Sequence, residues 1–196
     1  MKIGAVILAA GKASRFGSPK QLLKIDGETL IDRACRTALA VGCDPVLRIL
    51  GAHADRIMEY PYPDGIETFV HQGWGQGMGS SLAAGVSRLL ELRPDLDALF
   101  VLLADQPMVS AALLKTMQSR QDSVVWCDYS NATGPPALFR RQHFEELISL
   151  TGDQGARSVA ANHCAGTVAF PEAARDIDSP EAWNDFLAAI SNGGPL

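Results

Sequence analysis

The chain has 196 residues, of which 47% are hydrophobic and 20% are charged, a balance that excludes a disordered, collagen-like or coiled-coil protein. Its net charge of −5 argues against nucleic acid or an anionic membrane as the partner. The charge is uneven, because residues 1–25 contain five basic residues and no acidic one, while the remaining 12 basic residues accompany 22 acidic residues. A cationic segment at one end of an acidic chain points to a local role for those cations.

Strand and helix signals alternate along the chain. Apolar runs predict strands at residues 3–8, 46–50, 66–70, 98–103, 124–127, 136–139 and 167–170. Helical spacing of apolar residues predicts helices that begin near residues 30, 80, 110, 144, 154 and 179. This alternation implies a three-layer, Rossmann-like α/β fold with a mostly parallel central sheet. Such sheets bind ligands beyond the carboxyl ends of their strands.

Local signals place several element ends. Ser80 or Ser81 is suited to cap the second of these helices, and Ser110 is suited to cap the third. Ser179 followed by Pro180 gives the order that is favoured at a helix start.

The prolines of the strand at 136–139 predict a position at a sheet edge, because proline cannot donate to a strand ladder.

The sequence also predicts the domain organisation and the compartment of the chain. We expect one domain over residues 1–190 and a frayed tail at 191–196. No apolar run is long enough to span a bilayer. Four cysteines without C-x-x-C spacing predict reduced thiols in a cytoplasmic protein, and the four histidines, which lack ligand-like spacing, predict ordinary core or surface roles.

The loop after the first strand is rich in small and cationic residues. Gly11 allows close approach of a ligand, and consecutive backbone N–H groups can hold phosphate oxygens. Arg15 and Lys20 offer positive charge to the same anion. The spacing of Gly11 and Gly17 differs from that of a Walker A loop. The alternative is a surface turn whose cations are solvated.

Three further segments carry candidate chemistry. The glycine-rich stretch 71–81, which precedes a helix, suits a ribose or phosphate, or is a flexible loop with a serine cap. Asp105 directly follows the most apolar strand, where a carboxylate needs a cation such as Mg²⁺ or a set of hydrogen bonds. Asp176 and Asp178 form a second acidic pair, and Arg157 could face an anionic substrate. Taken alone, the pair favours a polar loop before the last helix, and the Arg157 segment favours a turn and a helix start.

These segments together resemble a known family. The six motifs are Leu8-Ala9-Ala10-Gly11 through Lys20, Gly77 to Leu82, Leu103 to Pro107, Gly134 to Phe139, Gly152 to Arg157, and Asp176 to Glu181. Their order resembles the nucleotide-diphospho-sugar transferase superfamily. Within it they look like the molybdenum cofactor cytidylyltransferase branch of the MobA-like NTP transferases. Phe16, Pro135, Ser179 and Ala182 depart from the usual residues of that branch.

The resemblance implies a nucleotidyltransferase that joins CMP from CTP to molybdopterin-bound molybdenum, with release of pyrophosphate. It implies Mg²⁺ held by Asp105 and Asp178, catalytic roles for Arg15, Lys20 and Asp105, and acceptor contacts from Pro136 and Arg157. The residues implied to bind the nucleotide are Leu8, Ala9, Ala10, Gly11, Arg15, Lys20, Gly79, Ser80, Ser81 and Asp105. A molybdoenzyme is the expected recipient of the product.

Alternative functions share these motifs. A nucleotidyltransferase that uses GTP or a sugar phosphate would need the same loop and metal ligands. A non-catalytic carrier of the molybdenum cofactor, or a nucleotide-binding regulator, would need binding residues but no catalytic metal pair.

Overall fold

The fold is a seven-stranded sheet with helices on both faces, accompanied by a short hairpin. A computed structural model describes residues 1–12, 16–130, 132–171, 177 and 179–191. The strands are β1 (Ile3–Ala9), β2 (Lys24–Ile25), β3 (Glu28–Thr29), β4 (Val46–Leu50), β5 (Ile66–Val70), β6 (Ala98–Leu103), β7 (Val124–Asp128), β8 (Thr133–Arg140) and β9 (Gly166–Ala169). The helices are α1 (Leu30–Ala40), α2 (Ala54–Met58), α3 (Met78–Leu92), α4 (Ala111–Ser119), α5 (Phe144–Ile148), α6 (Ala156–Ala161) and α7 (Pro180–Ser191).

The direction of the strands defines two edges of the large sheet. Its order is β5-β4-β1-β6-β8-β7-β9, and every neighbouring pair that does not involve β8 is parallel. We call the edge where β1, β4, β5, β6, β7 and β9 end the carboxyl edge, and the opposite edge the amino edge. Strand β8 runs antiparallel to both neighbours, so it begins at the carboxyl edge and ends at the amino edge.

Two apolar layers bury the faces of the sheet, which confirms the three-layer prediction. Helices α1 and α4 cover one face with residues such as Cys35 and Leu114. Helices α3, α5 and α6 cover the other face with residues such as Leu82 and Phe144. A third cluster joins the β2–β3 hairpin to α7 through Ile25 and Phe186. Continuous burial of β1 and β6 follows from their uninterrupted apolar sequences.

The edge position predicted for the strand at 136–139 is wrong. Strand β8 lies between β6 and β7, inside the sheet. The ladder avoids Pro135 and Pro136, because the register with β7 shifts there and pairing with β6 begins only at Ala137. A missing N–H is tolerated inside a sheet where the strand passes beyond its neighbour or bulges away from it.

The helix-cap predictions have mixed outcomes. The hydroxyl of Ser110 accepts a hydrogen bond from Leu113 N–H at 3.2 Å, and Ser179 accepts one from Ala182 N–H at the same distance, as predicted. The predicted serine cap of α3 is wrong, because this helix begins at Met78, and Gly77 precedes it without a side-chain cap.

Two further sequence predictions concern the whole chain. No helix within the described ranges is both long and apolar enough to cross a membrane. All four cysteines are free thiols, and Cys35, Cys43 and Cys127 are buried as small core residues, whereas Cys164 is exposed. Most of the predicted tail, residues 192–196, lies outside the described residues.

Candidate nucleotide-binding site

The carboxyl edge collects the loop that follows β1. Ala9 and Ala10 are buried as the strand ends, Leu8 is partly buried, and Gly11 is exposed. The loop from the neighbouring β4 lies close enough that Ala52 N–H donates to the carbonyl of Ala10 at 3.2 Å. The predicted catalytic and nucleotide-binding Arg15 falls on residues 13–15, outside the described residues.

Two side chains form hydrogen bonds with the backbone of the β1 loop. The buried amide of Gln21 donates to the carbonyls of Ala9 at 2.9 Å and Gly11 at 3.4 Å. The ring of His53, which follows β4, donates from Nε2 to the carbonyl of Lys12 at 2.8 Å. Sequence reasoning gave neither residue a role, although Gln21 directly follows the last cation of the motif. These contacts fix three carbonyls of the loop where it leaves the strand.

Lys20 and Asp105 form an ion pair at the centre of this edge. Lys20 begins a single 3₁₀ turn after the loop, and Asp105 follows the buried strand β6. The ammonium Nζ lies 2.5 Å from Asp105 Oδ2, and each side chain is only 16% exposed. Desolvation makes such a pair costly to hold, so a pair kept largely out of water points to a functional use of both charges.

The segment that precedes α7 returns to the same place. Ile177 is buried, and its N–H donates to the backbone carbonyl of Asp105 at 3.5 Å. The predicted metal ligand Asp178 is the next residue, and it lies outside the described residues, as does Asp176.

The glycines of the second glycine-rich segment serve close packing against residues 151–155. A Cβ atom at Gly77 would lie 2.3 Å from the carbonyl oxygen of Gly152, and one at Gly79 would lie 2.3 Å from that of Gln154. The N–H of Gly79 donates to the carbonyl of Gly152 at 2.8 Å, so this donor already has a protein partner. A larger side chain at either position would separate the start of α3 from this loop.

The two serines of that segment have internal partners as well. Ser80 Oγ lies 2.9 Å from His71 Nε2, which follows β5, and Ser80 is partly exposed. Ser81 is buried, and its hydroxyl donates to the carbonyl of Gly77 at 3.4 Å. Ser80 is therefore the more accessible of the two predicted nucleotide-binding hydroxyls.

The start of β8 forms a wall at the carboxyl edge. The amide of Gln106 donates to the hydroxyl of Tyr129 at 3.2 Å, and that hydroxyl donates to the carbonyl of Pro135. The side chain of Pro136 is buried, so it can shape this wall but offers little surface to a ligand.

Arg157 lies at the same wall. It is exposed on α6, and its guanidinium donates to the carbonyl of Thr133, which is the first residue of β8. The fold thus brings the two predicted acceptor residues, Pro136 and Arg157, to the same edge. Pro136 is buried, whereas the guanidinium of Arg157 is open to solvent.

The arrangement combines a small-residue loop, a shielded ammonium and a shielded carboxylate at one end of a parallel sheet. The ammonium can neutralise phosphate charge, and the carboxylate can bind a divalent cation. No nucleophilic cysteine or serine is needed at this place for a phosphoryl group to transfer between two oxygens.

Comparison with known proteins identifies the family. Residues 5–167 match the family described as the MobA-like NTP transferase domain. The purine catabolism protein PucB of Bacillus subtilis (strain 168) is 30% identical over 204 aligned positions, which cover 95% of this chain and 96% of that protein. Nicotine blue oxidoreductase of Paenarthrobacter nicotinovorans is 31% identical over 167 positions, covering 84% of this chain and 77% of that protein.

Solved structures give the same fold. Rv0371c of Mycobacterium tuberculosis H37Rv superposes with a TM-score of 0.83 at 28% identity, covering 96% of this chain and 98% of that one. A second structure of Rv0371c, a complex with manganese, superposes with a TM-score of 0.80 at 26% identity, covering 96% of this chain and all of that one. The fold is that of the nucleotide-diphospho-sugar transferases, and the chain belongs to the MobA-like NTP transferase domain family.

Proposed function

We propose that the chain transfers CMP from CTP to the molybdenum cofactor and releases pyrophosphate. The observation that carries the proposal is the shielded Lys20–Asp105 pair, which lies beside the loop after β1 at the ligand-binding edge of the sheet. Family membership supports nucleotidyl transfer. The choice of cytosine and of the molybdenum cofactor rests on the six-motif resemblance, including the Leu8-Ala9-Ala10-Gly11 start.

The reaction exchanges one phosphorus–oxygen bond for another. A phosphate oxygen of the pterin forms a bond to the α-phosphorus of CTP, and the bond from that phosphorus to the oxygen bridging it to the β-phosphorus breaks. The electron pair leaves with pyrophosphate. Since the acceptor oxygen is already anionic, catalysis depends on orientation of the two reactants and neutralisation of their charge.

Lys20 and the β1 loop supply the triphosphate contacts. The Lys20 ammonium, with Arg15, neutralises the phosphates and the departing pyrophosphate. Because Lys20 is paired with Asp105 in the structure, nucleotide binding redirects its charge from the carboxylate to the phosphates. Ser80 contacts the ribose or base with its accessible hydroxyl, whereas Gly79 contributes surface rather than an N–H donor.

The donor set at Asp105 fits a magnesium ion. Mg²⁺ binds one or two carboxylates together with substrate phosphates, and the Asp105 carboxylate already has a cation at its Oδ2. Asp105 and Asp178 would hold the ion. When bound, it supplies charge neutralisation and alignment of the reacting phosphates. The manganese complex of the related Rv0371c supports a divalent cation in this family.

The acceptor contacts the wall formed by β8 and α6. Arg157 offers an exposed guanidinium to the anionic pterin, and Pro136 shapes the surface beside it from a buried position. A molybdoenzyme that receives the finished cofactor is the expected partner.

A nucleotide and acceptor matrix tests the proposal. Purified chain with Mg²⁺ receives CTP, GTP, UTP or ATP, each with the molybdenum cofactor or a sugar 1-phosphate, and pyrophosphate is measured. We expect pyrophosphate release only from the combination of CTP with the molybdenum cofactor. Preference for GTP or a sugar phosphate would assign another transferase activity, and no release with any combination would favour a carrier or regulator.

A further inference from the structure

Two histidines and a glutamate meet at the amino edge, which is opposite the edge that carries the candidate nucleotide-binding loops. His143 follows the end of β8, Glu146 lies on α5, and His163 lies between α6 and β9. Within the part of the chain that the structure describes, this is the group of His, Cys, Asp and Glu side chains arranged to hold a metal ion. One ligand atom from each residue lies within 4.8 Å of the other two.

The individual distances fit a small coordination sphere. His163 Nε2 lies 2.8 Å and 3.0 Å from the two carboxylate oxygens of Glu146, and His143 Nδ1 lies 3.3 Å from Oε1. A tetrahedral zinc ion with bonds of about 2.1 Å separates its ligand atoms by roughly 3.4 Å. Small side-chain rotations therefore suffice to place one ion among the three groups.

A neighbouring serine orients the buried imidazole. His143 is 2% exposed, and its Nε2 lies 3.0 Å from Ser123 Oγ, which immediately precedes β7. When Nε2–H donates to this hydroxyl, the lone pair of Nδ1 faces Glu146. Metal-binding histidines are commonly oriented by such a hydrogen bond on the other ring nitrogen.

The charge and exposure of the other two groups also suit a metal. Glu146 places its carboxylate between the two imidazoles, within 2.8 Å of His163 Nε2 and 3.3 Å of His143 Nδ1. The side chains of His163 and Glu146 are 30% and 40% exposed, which leaves the cluster open to solvent on one side. An ion can enter there, and water can complete its coordination.

We propose that His143, Glu146 and His163 form a zinc site at the amino edge, separate from the nucleotide site. Two imidazoles and one carboxylate favour zinc over magnesium, which prefers oxygen ligands. The ion joins α5 to the connection between α6 and β9, and through His143 to the start of β7. These segments are distant in sequence, so the site stabilises the fold of this half of the sheet.

Metal titration tests the site directly. Chelator-stripped chain is titrated with zinc chloride and, separately, with Co²⁺, whose visible absorption reports its ligands. We expect one zinc per chain at this site. His163→Ala and Glu146→Gln weaken it at least a hundred-fold, and Ser123→Ala weakens it about ten- to a hundred-fold, as is typical when a hydrogen bond that orients a metal-binding histidine is lost.

Matched controls separate this site from the nucleotide site and from loss of folding. Glu145→Gln changes the adjacent, exposed glutamate on the same helix and should bind zinc as the wild type does. Asp105→Asn should also keep the site, whatever its effect on pyrophosphate release. X-ray absorption of the wild-type zinc complex should show two imidazole ligands, a result that needs no variant. Three results would overturn the proposal. The wild type would bind no zinc at micromolar concentration, its zinc complex would show no imidazole ligands, or His163→Ala and Glu146→Gln would bind zinc as tightly as the wild type does.

Discussion

The two edges of the sheet each carry a lysine–aspartate pair, and the pairs differ in their access to water. At the amino edge Lys2 contacts Asp95 with both side chains more than half exposed. At the carboxyl edge Lys20 contacts Asp105 with each side chain 16% exposed. An exposed pair contributes little to stability because water screens it, whereas a shielded pair costs desolvation free energy. The same residue types thus mark a surface contact at one edge and a candidate reaction site at the other.

The two edges also differ in the groups that they present to a ligand. The carboxyl edge presents loops, small residues and charge, as parallel sheets do at their ligand-binding ends. The amino edge presents short connections and, at one place, two imidazoles with a carboxylate. We therefore propose a different cation for each edge, magnesium with phosphates at the carboxyl edge and zinc at the amino edge.

The largest expected effect separates the two aspartates. Asp105→Asn keeps the shape of the side chain but removes its charge, so the proposed metal loses a ligand. We expect pyrophosphate release to fall about a thousand-fold, which corresponds to about 4 kcal/mol of transition-state stabilisation. Asp95→Asn, the control at the amino edge, should retain wild-type rate. Equal activity of the two variants would contradict the assignment of Asp105.

A smaller loss is expected for the lysine partner. Lys20→Ala removes one phosphate contact while Arg15 and the metal remain, so the rate should fall about a hundred-fold. Steady-state kinetics with varied CTP measures the effect. Lys2→Ala serves as the matched control, and a normal rate for Lys20→Ala would place the triphosphate elsewhere.

Two glutamines sharpen the comparison between contacts that position the site and contacts that only stabilise the fold. Gln21 donates to Ala9 and Gly11 at the carboxyl edge, whereas Gln118 on α4 donates to the carbonyl of Val41 at 3.2 Å. Replacement of either glutamine by leucine should cost about 1 kcal/mol of unfolding free energy for the lost hydrogen bond. Only Gln21→Leu should lower kcat/KM, by about ten- to a hundred-fold, because the β1 loop is displaced.

The glutamine comparison needs both calorimetry and kinetics on the two variants. If Gln21→Leu lost stability but kept full activity, Gln21 would be a fold residue with no positioning role.

The smallest effect concerns the thiols. Burial raises the pKa of Cys35, Cys43 and Cys127 to about 12. At pH 8 only about one in ten thousand of these groups is the reactive thiolate. Ellman's reagent should therefore label one thiol per native chain, the exposed Cys164 beside the amino-edge histidines, and four in denaturant. The labelled chain should release pyrophosphate at the normal rate, and rapid labelling of several thiols would show that the core opens.

The alternation of elements was predictable because it depends on local patterns. Continuous apolar runs identified β1 and β6, a mostly apolar run identified β4, and the Ser110 cap was evident from one hydroxyl before a helix. The placement of β8 was not predictable from its prolines, since the sheet accommodates them where pairing is interrupted.

The site was predictable only in part, because some of its contacts join residues that are far apart in the sequence. Lys20 and Asp105 were identified from their positions after strands, which topology then brought together. The role of Gly77 depends on a backbone 75 residues away in sequence, and no local spacing signals that contact. The histidine–glutamate cluster likewise joins residues from separate elements, so histidine spacing alone gave no indication of it.

Transfer of label from CTP tests the central claim most directly. Wild-type chain receives CTP labelled at the α-phosphate, Mg²⁺ and the molybdenum cofactor, and the cofactor is then isolated and analysed by mass spectrometry. We predict that the labelled CMP moiety appears on the cofactor with wild-type and Asp95→Asn chains and is nearly absent with Asp105→Asn. Label that remains in CTP with the wild type, while GTP modifies the cofactor, would contradict the account.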